Sequence, residues 1–422
     1  MENTNQTFFV PDTVSFKNKM LNWTRRFNIF CFLDNNNYHS DNNSFDCLLA
    51  VESVKSILPN KITLFEELKK FSNEHNGWLF GHLNYPSLST EEIDFPLAYF
   101  FIPEHIIRLH NQNVEIQSQT TSAEKIFNEI NELPDSILCQ TKTTVQIENR
   151  ITHNAYIETI EKLKCHIKRG DCYEINFCQD FFSQNADIDP LFIYHQLNTI
   201  SPNPFSAYYK MQDKYCLCAS PERFLLKSGN TIISQPIKGT IKRELNNEEK
   251  DQAARQNLLN SNKDRSENVM IVDLVRNDLS KISNEGSVHV RELYGIYAYP
   301  QVYQMISTIE GNVDESVHWT EIVEACYPMG SMTGAPKKRV MELIEQYEVS
   351  PRGLFSGSIG YVEPNGDFDF NVVIRSLFYN ATKKYLSFNA GGGITFYSDP
   401  QKEYEESLIK VKAIKGILKC ND

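Results

Sequence analysis

Two glutamates near the carboxyl terminus have the spacing of a hard-cation site. Asp399-Pro400 is a typical helix start, an N-cap aspartate followed by proline at the first helical position. Glu403 and Glu406 then lie three residues apart, on one face of the first two turns. Mg²⁺ prefers carboxylate, water and substrate oxygens as ligands. Because the helix dipole also favours carboxylates at this end, the spacing alone favours a solvated pair over a metal site.

A third carboxylate and a buried arginine are further candidates. Glu267 precedes the apolar segment VMIVDLV, and a charge that enters so apolar a segment needs a partner. Arg375 lies inside the apolar run NVVIRSL and is predicted to be buried. Such an arginine either pairs with a protein carboxylate or receives an anionic ligand.

Lys238 is a candidate nucleophile in the segment SQPIKGTIKR. Apolar and small residues flank it after a strand-like run, and partial desolvation lowers the pKa of a lysine and favours the neutral amine. A surface lysine in a turn is the commoner alternative, so this signal is weak when taken alone.

Two segments rich in small residues could approach a ligand. Residues 327–344, YPMGSMTGAPKKRVMELI, read as a loop entering a helix, whose backbone N–H groups and hydroxyls could hold an anion. The segment lacks the Lys-Ser/Thr pair of a Walker A loop, which excludes that kind of ATP site. Gly391–Gly393 does not match the dinucleotide fingerprint and instead allows a ligand close to the backbone.

Strands in runs, with helices grouped between them, must position these residues. Strand-like runs include FNIFCFL, GWLFGHL, LAYFFIP, YEINFCQDFF, FSAYYKM, KYCLCAS, RFLLKSG, TIISQPI, GSIGYV, DFNVVIRSLFY and YLSFNAGGGITFY. Helices are predicted near 123–133, over 152–169 up to Gly170, over 247–261 and over 400–419. A regular βαβ alternation is absent, so the pattern predicts an α+β fold with large antiparallel sheets.

Composition narrows the class of protein. The 422 residues correspond to two or three domains, and 41% hydrophobic residues suffice for a sizeable core. The net charge of −12 argues against nucleic acid or an anionic membrane as a partner. The start of the chain does not resemble a signal peptide, and the apolar run 95–102 is too short to span a bilayer. The ten cysteines form no C-x2-C pair. We therefore expect a soluble, cytoplasmic protein with reduced thiols.

Eight ordered segments carry a family resemblance. They are GDCYEINFCQ, ASPERFL, QPIKGT, KDRSENVMIVDLVRNDL, PMGSMTGAPKKR, FSGSIGY, NVVIRSL and AGGGITFYSDPQKEYEES. In this order they resemble the chorismate-utilising enzymes, and the aminodeoxychorismate synthase component I branch most closely. The resemblance implies antiparallel sheets in a sandwich with helices packed outside. It also implies an N-terminal region at 1–110, a polar connector at 111–148 and a chorismate-binding catalytic domain at 149–422.

The resemblance also implies roles for individual residues. Glu267, Glu403 and Glu406 match magnesium ligands, with the metal holding the ring carboxylate of chorismate. Glu222 matches the general acid that assists departure of the C4 hydroxyl. Further residues match groups that hold the substrate. These are Arg375, Ser331, Thr240, Gly391, Gly392 and Gly393.

Three positions bear on the branch of the family. PIKGT resembles aminodeoxychorismate synthase rather than the PIAGT typical of anthranilate synthase, which implies that Lys238 adds at ring carbon C2 before ammonia adds at C4. Glu174 stands where isochorismate and salicylate synthases carry a water-activating lysine, and where the amine-using branch usually has glutamine. Gln304 stands where anthranilate synthase has histidine.

The ammonia source is expected to be a separate chain. No segment resembles the nucleophile turn of a class I amidotransferase, so we predict a glutamine amidotransferase subunit as partner. Related chains have a tryptophan pocket in the N-terminal region. The segment CLLAVES of this chain is distantly similar to the corresponding strand. Two alternatives remain open: anthranilate synthase component I, with amination at C2 and loss of pyruvate, and a catalytically silent metabolite-binding relative.

Overall fold

The computed structural model describes residues 4–38, 45–87, 92–140 and 145–419. The strands of this part of the chain are β1 Thr4–Phe9, β2 Ile29–Asp34, β3 Cys47–Ile57, β4 Leu79–Leu83, β5 Ala98–His110, β6 Asn113–Ser118, β7 Glu148–Asn149, β8 Glu174–Ser183, β9 Phe205–Met211, β10 Lys214–Ser220, β11 Arg223–Ser228, β12 Thr231–Gln235, β13 Ile237–Lys242, β14 His289–Ala298, β15 Val302–Asn312, β16 Gly334–Ala335, β17 Ser358–Val362, β18 Phe368–Asn371, β19 Ser376–Asn380 and β20 Tyr385–Ile394. The helices are α1 Thr13–Trp23, α2 Leu64–Glu74, α3 Ala123–Asn131, α4 His153–Arg169, α5 Pro190–Ile200, α6 Glu248–Leu259, α7 Asn262–Ser280, α8 Trp319–Cys326, α9 Lys337–Tyr347, α10 Pro400–Lys410 and α11 Lys412–Lys419.

The strands form one hydrogen-bonded network of antiparallel pairs with two arms. One arm runs in the order β6, β5, β3, β2, β9, β10, β19, β20 and β8. The other runs in the order β5, β4, β17, β18, β11, β12 and β15, with β13 and β14 also paired to β15. The long strand β5 belongs to both arms and thereby joins them.

Two large apolar cores lie on opposite faces of the first arm. Along β2, Cys31 belongs to the core shared with the second arm, whereas Phe30 and Phe32 belong to the core beneath helices α1, α3, α5 and α11. Alternate side chains of a strand point to opposite faces, so one strand serves both cores. The expected α+β fold, with large antiparallel sheets and helices packed outside, is confirmed.

Local signals identified several helices correctly. Thr152 caps α4 through its side chain, and Gly170 ends the helix in the left-handed conformation with φ 82°. The predicted helices near 123–133, over 247–261 and after the loop at 327–336 correspond to α3, α6 and α9.

Two expectations about elements were wrong. The closing helix is broken at Val411, whose backbone leaves the helical conformation and whose side chain is buried. The break lets α10 pack against β20 while α11 packs against α5. The run DFNVVIRSLFY is likewise two strands, β18 and β19, because Arg375 adopts the left-handed φ of 51° between them.

The segment expected to connect two domains contains regular structure. Within 111–148, β6 pairs with both β1 and β5, and α3 follows it. Residues 141–144 lie outside the described part of the chain. The division at 110 and 148 stays a prediction.

Candidate active site

A β-bulge in β13 places Lys238. Ile237 pairs with Ile306 and Thr240 pairs with Gln304, so β13 carries one more residue than β15 over this stretch. Gly239 provides the positive φ of 94° that the irregularity requires. The bulge sends the lysine inward, and Lys238 is only 9% exposed.

The ammonium of Lys238 meets Glu174 at the start of β8. Lys238 Nζ donates a hydrogen bond of 2.5 Å to Glu174 Oε1, and Glu174 is fully buried. Burial acts to lower the pKa of Lys238, but the charge and hydrogen bond of Glu174, with the charges of Glu267 and Glu222, outweigh it and raise that pKa. The burial expected for Lys238 is therefore correct, whereas the expected direction of its pKa shift was wrong.

Glu222 lies at the turn between β10 and β11 and is almost completely buried. Burial raises the pKa of this carboxyl group to about 7, although the charges of Lys238 and Arg375 oppose the change. The nearby side chain of Ser331 and the backbone of Ile237 also act to lower this pKa. A carboxylic acid with this pKa can hold and release a proton near neutral pH.

A buried arginine fixes the loop that carries Ser331. Arg352 Nη1 donates to the carbonyl of Met332 at 2.6 Å, and its Nη2 donates to the carbonyl of Asn176 at 2.8 Å. The same Nη2 donates to Glu348 Oε1 at 2.6 Å. The loop is thereby tied to β8, the strand that also carries Glu174.

Arg375 has no ion pair with any acidic residue in the described part of the chain, although it is half-buried. Burial lowers its pKa, while the nearby Tyr299 and Glu222 act in the opposite direction. Of the two alternatives that the sequence left open, reception of an anionic ligand therefore has more support than a protein partner.

Three carboxylates approach one another from α7 and α10. Glu267 and Glu403 are buried, whereas Glu406 is half-exposed. Lys263 Nζ lies 3.9 Å from Glu267 Oε1 and 3.6 Å from Glu403 Oε1, and Lys410 Nζ lies 2.8 Å from Glu406 Oε1. Two lysines thus offset the charge of these acids.

The carboxylate oxygens suit a hard cation as ligands, but the three side chains do not surround a common metal position. Among the described residues, no group of three or more His, Cys, Asp or Glu side chains has the arrangement of a metal site. However, Glu267 Oε1 is buried without a hydrogen-bond donor, and burial raises the pKa of Glu267 to about 7. Carboxylate oxygens of this kind are the ligands that Mg²⁺ prefers. The predicted metal role of these glutamates stays a prediction.

The glycines of β20 border both groups of charged residues. A Cβ on Gly392 would lie 3.3 Å from Glu403 Oε2 and 3.7 Å from Glu406 Oε1. A Cβ on Gly393 would lie 2.5 Å from Glu174 Oε1. Gly391 pairs with β8, and a Cβ there would meet the carbonyl of Phe177 at 2.0 Å. Side chains at Gly392 and Gly393 would fill the space between the strand and the charged groups.

Two polar residues complete the surroundings of β13. Thr240 is exposed, and Gln304 opposite it is fully buried with both polar side-chain atoms lacking a hydrogen-bond partner. The sequence singled out Glu174 and Gln304 only as departures from a family pattern. It gave no signal for the contact between Glu174 and Lys238, or for the role of Arg352.

A family model identifies the chain as one of the chorismate-utilising enzymes. The model of the chorismate binding enzyme family matches residues 34–416, and the chain belongs to this family. Within the described residues, no helix is both long and apolar enough to cross a membrane.

Two similar curated proteins share one name, aminodeoxychorismate synthase component 1. The protein from Bacillus subtilis (strain 168) is 33% identical over 353 residues, which cover 80% of this chain and 74% of that protein. The one from Salmonella typhimurium is 39% identical over 267 residues, which cover 63% of this chain and 58% of that protein.

Two solved structures share the fold. Anthranilate synthase component I from Streptococcus pneumoniae TIGR4 matches with a TM-score of 0.76 at 22% identity, over 90% of this chain and 94% of that one. The menaquinone-specific isochorismate synthase MenF from Escherichia coli matches with a TM-score of 0.78 at 14% identity, over 99% of this chain and 95% of that one.

Proposed function

We propose that this protein is aminodeoxychorismate synthase component I, which converts chorismate and ammonia to 4-amino-4-deoxychorismate on the cytoplasmic route to 4-aminobenzoate and folate. The observation that carries the proposal is the buried Lys238, which lies within electrostatic reach of the protonatable Glu222. The names of the similar curated proteins support the same reaction.

Lys238 and Glu222 would carry out different steps of the reaction. The amine of Lys238 adds at ring carbon C2 while both ring double bonds shift and the C4–O bond breaks. Glu222 supplies the proton that turns the departing hydroxyl into water. Ammonia then adds at C4, both double bonds shift back, and the C2–N bond to Lys238 breaks. The proton released from the new C4 amine returns to Glu222.

The remaining residues would hold the substrate. Arg375, which lacks a protein acid in the described residues, can receive the enolpyruvyl carboxylate. Ser331 and the Gly391–Gly393 backbone would line the same pocket, with Thr240 at its border. Glu267, Glu403 and Glu406 would hold a magnesium ion, which when bound supplies a positive centre for the ring carboxylate of a dianionic substrate.

A separate glutamine amidotransferase subunit would supply the ammonia. Two observations support this. The similar proteins are named as component 1, which implies a second component, and the sequence lacks an amidotransferase motif. The purified chain should then use ammonium but not glutamine. Equal activity with glutamine alone would contradict this part of the proposal.

Product identification tests the proposed reaction. The purified protein receives chorismate, magnesium and ammonium, and the products are analysed by liquid chromatography and mass spectrometry with and without added aminodeoxychorismate lyase. We expect a product of aminodeoxychorismate mass, which the lyase converts to 4-aminobenzoate. Formation of anthranilate and pyruvate without the lyase would instead identify anthranilate synthase chemistry, and unchanged chorismate would favour a silent binder.

A further inference from the structure

Glu174 is buried in direct contact with Lys238. Its side chain is fully buried, and its Oε1 accepts the proton of Lys238 Nζ over 2.5 Å. Its other oxygen, Oε2, is buried without any hydrogen-bond donor in the described part of the chain. Gly393 leaves room for the pair, since a Cβ there would lie 3.0 Å from Lys238 Nζ. The two groups are thus in direct contact and largely shielded from water.

Lys238 faces acids from three parts of the fold. Glu174 on β8 is nearest, and Glu267 on α7 and Glu222 before β11 act through their charges. In these surroundings the resting lysine is an ammonium. An ammonium has no lone pair, so it cannot add to ring carbon C2 until it loses a proton.

We propose that Glu174 is the catalytic base that takes the proton from Lys238 and so generates the amine nucleophile inside the buried site. The inference rests on the proposed function. In the step, an N–H bond of Lys238 breaks, an O–H bond forms on Glu174 Oε1, and the lone pair left on nitrogen adds to C2. After ammonia has displaced the lysine, the amine recovers the same proton from Glu174. No proton has to be exchanged with solvent to activate or restore the lysine.

The low polarity of the site makes this transfer feasible. The desolvation of two buried charges offsets much of their attraction, so the ion pair is only modestly more stable than the neutral pair. Moving the proton converts the ion pair into two neutral groups and removes the desolvation cost. The 2.5 Å contact means that neither side chain has to move. A glutamine at this position could not accept the proton.

The test compares Glu174→Gln with the wild-type protein and with Glu161→Gln, an exposed control on α4. The full chain is assayed for aminodeoxychorismate from about pH 6 to about pH 9, at saturating chorismate and magnesium and at constant free ammonia. We expect the kcat of Glu174→Gln to fall about 10²-fold at pH 7, with the KM for chorismate changed less than about threefold. The ratio of its kcat to that of the wild type should then rise about tenfold per pH unit, because Lys238 must lose its proton to water, whereas the loss of the Glu222 proton affects both proteins alike. The control should match the wild type.

The outcomes distinguish a failure of this inference from a failure of the proposed function. If the wild type forms no aminodeoxychorismate, the proposed function fails. If the wild type is active and Glu174→Gln retains its kcat within about threefold, or loses kcat equally at every pH, then Glu174 is not the base.

Thermal melting shows whether the Glu174→Gln variant is folded. If it is not folded, the Glu174→Asp variant is assayed instead. The shorter carboxylate should lower kcat about tenfold without adding pH dependence, because a displacement of about 1 Å at a reacting group can reduce the rate by up to about 10²-fold. An unchanged kcat in Glu174→Asp would also overturn the proposal.

Discussion

Replacing Glu222 by glutamine should stabilise the protein at alkaline pH while it abolishes most activity. The carboxyl group is buried, and its pKa is about 7 where an ordinary glutamate has 4.5. The folded state therefore keeps a proton that the unfolded chain releases between these two values. A folded-state pKa raised in this way means that stability is fully present below pH 4.5 and is lost as pH rises through 7.

The size of the effect follows from the two pKa values. Each unit of pKa difference corresponds to about 1.4 kcal/mol, so the buried carboxylate lowers the free energy of unfolding by roughly 3 kcal/mol at pH 8. At pH 5 most of this loss has not yet occurred. Glutamine has no charge to bury. The raised pKa of Glu267 affects both proteins alike and cancels from the comparison.

Urea unfolding at pH 5 and pH 8 measures this difference. We expect the stability of Glu222→Gln relative to wild type to increase by about 2 to 3 kcal/mol between the two pH values. Glu161→Gln, an exposed change of the same type, should show no such increase. In parallel, the wild-type kcat should decline above pH 7 as the acid loses its proton, and the variant should lose about 10²- to 10⁴-fold in kcat. A stability difference that is the same at both pH values would refute the reasoning about burial.

Three further substitutions examine the neighbouring residues. Lys238→Ala should lose most aminodeoxychorismate formation or divert it to anthranilate in the product assay, while magnesium-dependent chorismate binding remains in calorimetry; full output would disprove the covalent role. Gly393→Ala should lower kcat at least about 10²-fold without unfolding the protein, since the new methyl group would displace the lysine–glutamate pair, whereas Gly416→Ala, with open space around it, serves as the matched control. Arg352→Met should lower the free energy of unfolding by about 3 to 5 kcal/mol in urea, because Glu348 would lose its buried partner, and a loss below about 1 kcal/mol would contradict this.

The elements with local signals were predictable from the sequence. The start and end of α4 follow from Thr152 and Gly170, and the start of α10 follows from Asp399 and Pro400. The break at Val411 was not predictable, because the apolar spacing is compatible with one continuous helix. Only packing against two different neighbours separates α10 from α11.

The fold class followed from the apolar patterns of the chain, and the family and the candidate site residues followed from the resemblance of its ordered motifs, because patterns and motifs are local properties of the sequence. The tertiary structure decided how these residues interact. It brought Glu174 against Lys238, which is 64 positions away, and reversed the expected direction of the lysine pKa shift. It also buried Glu222 and left Arg375 without an ion pair in the described residues. Charge interactions depend on distance and on the surrounding polarity, and both are fixed only when distant strands pack together.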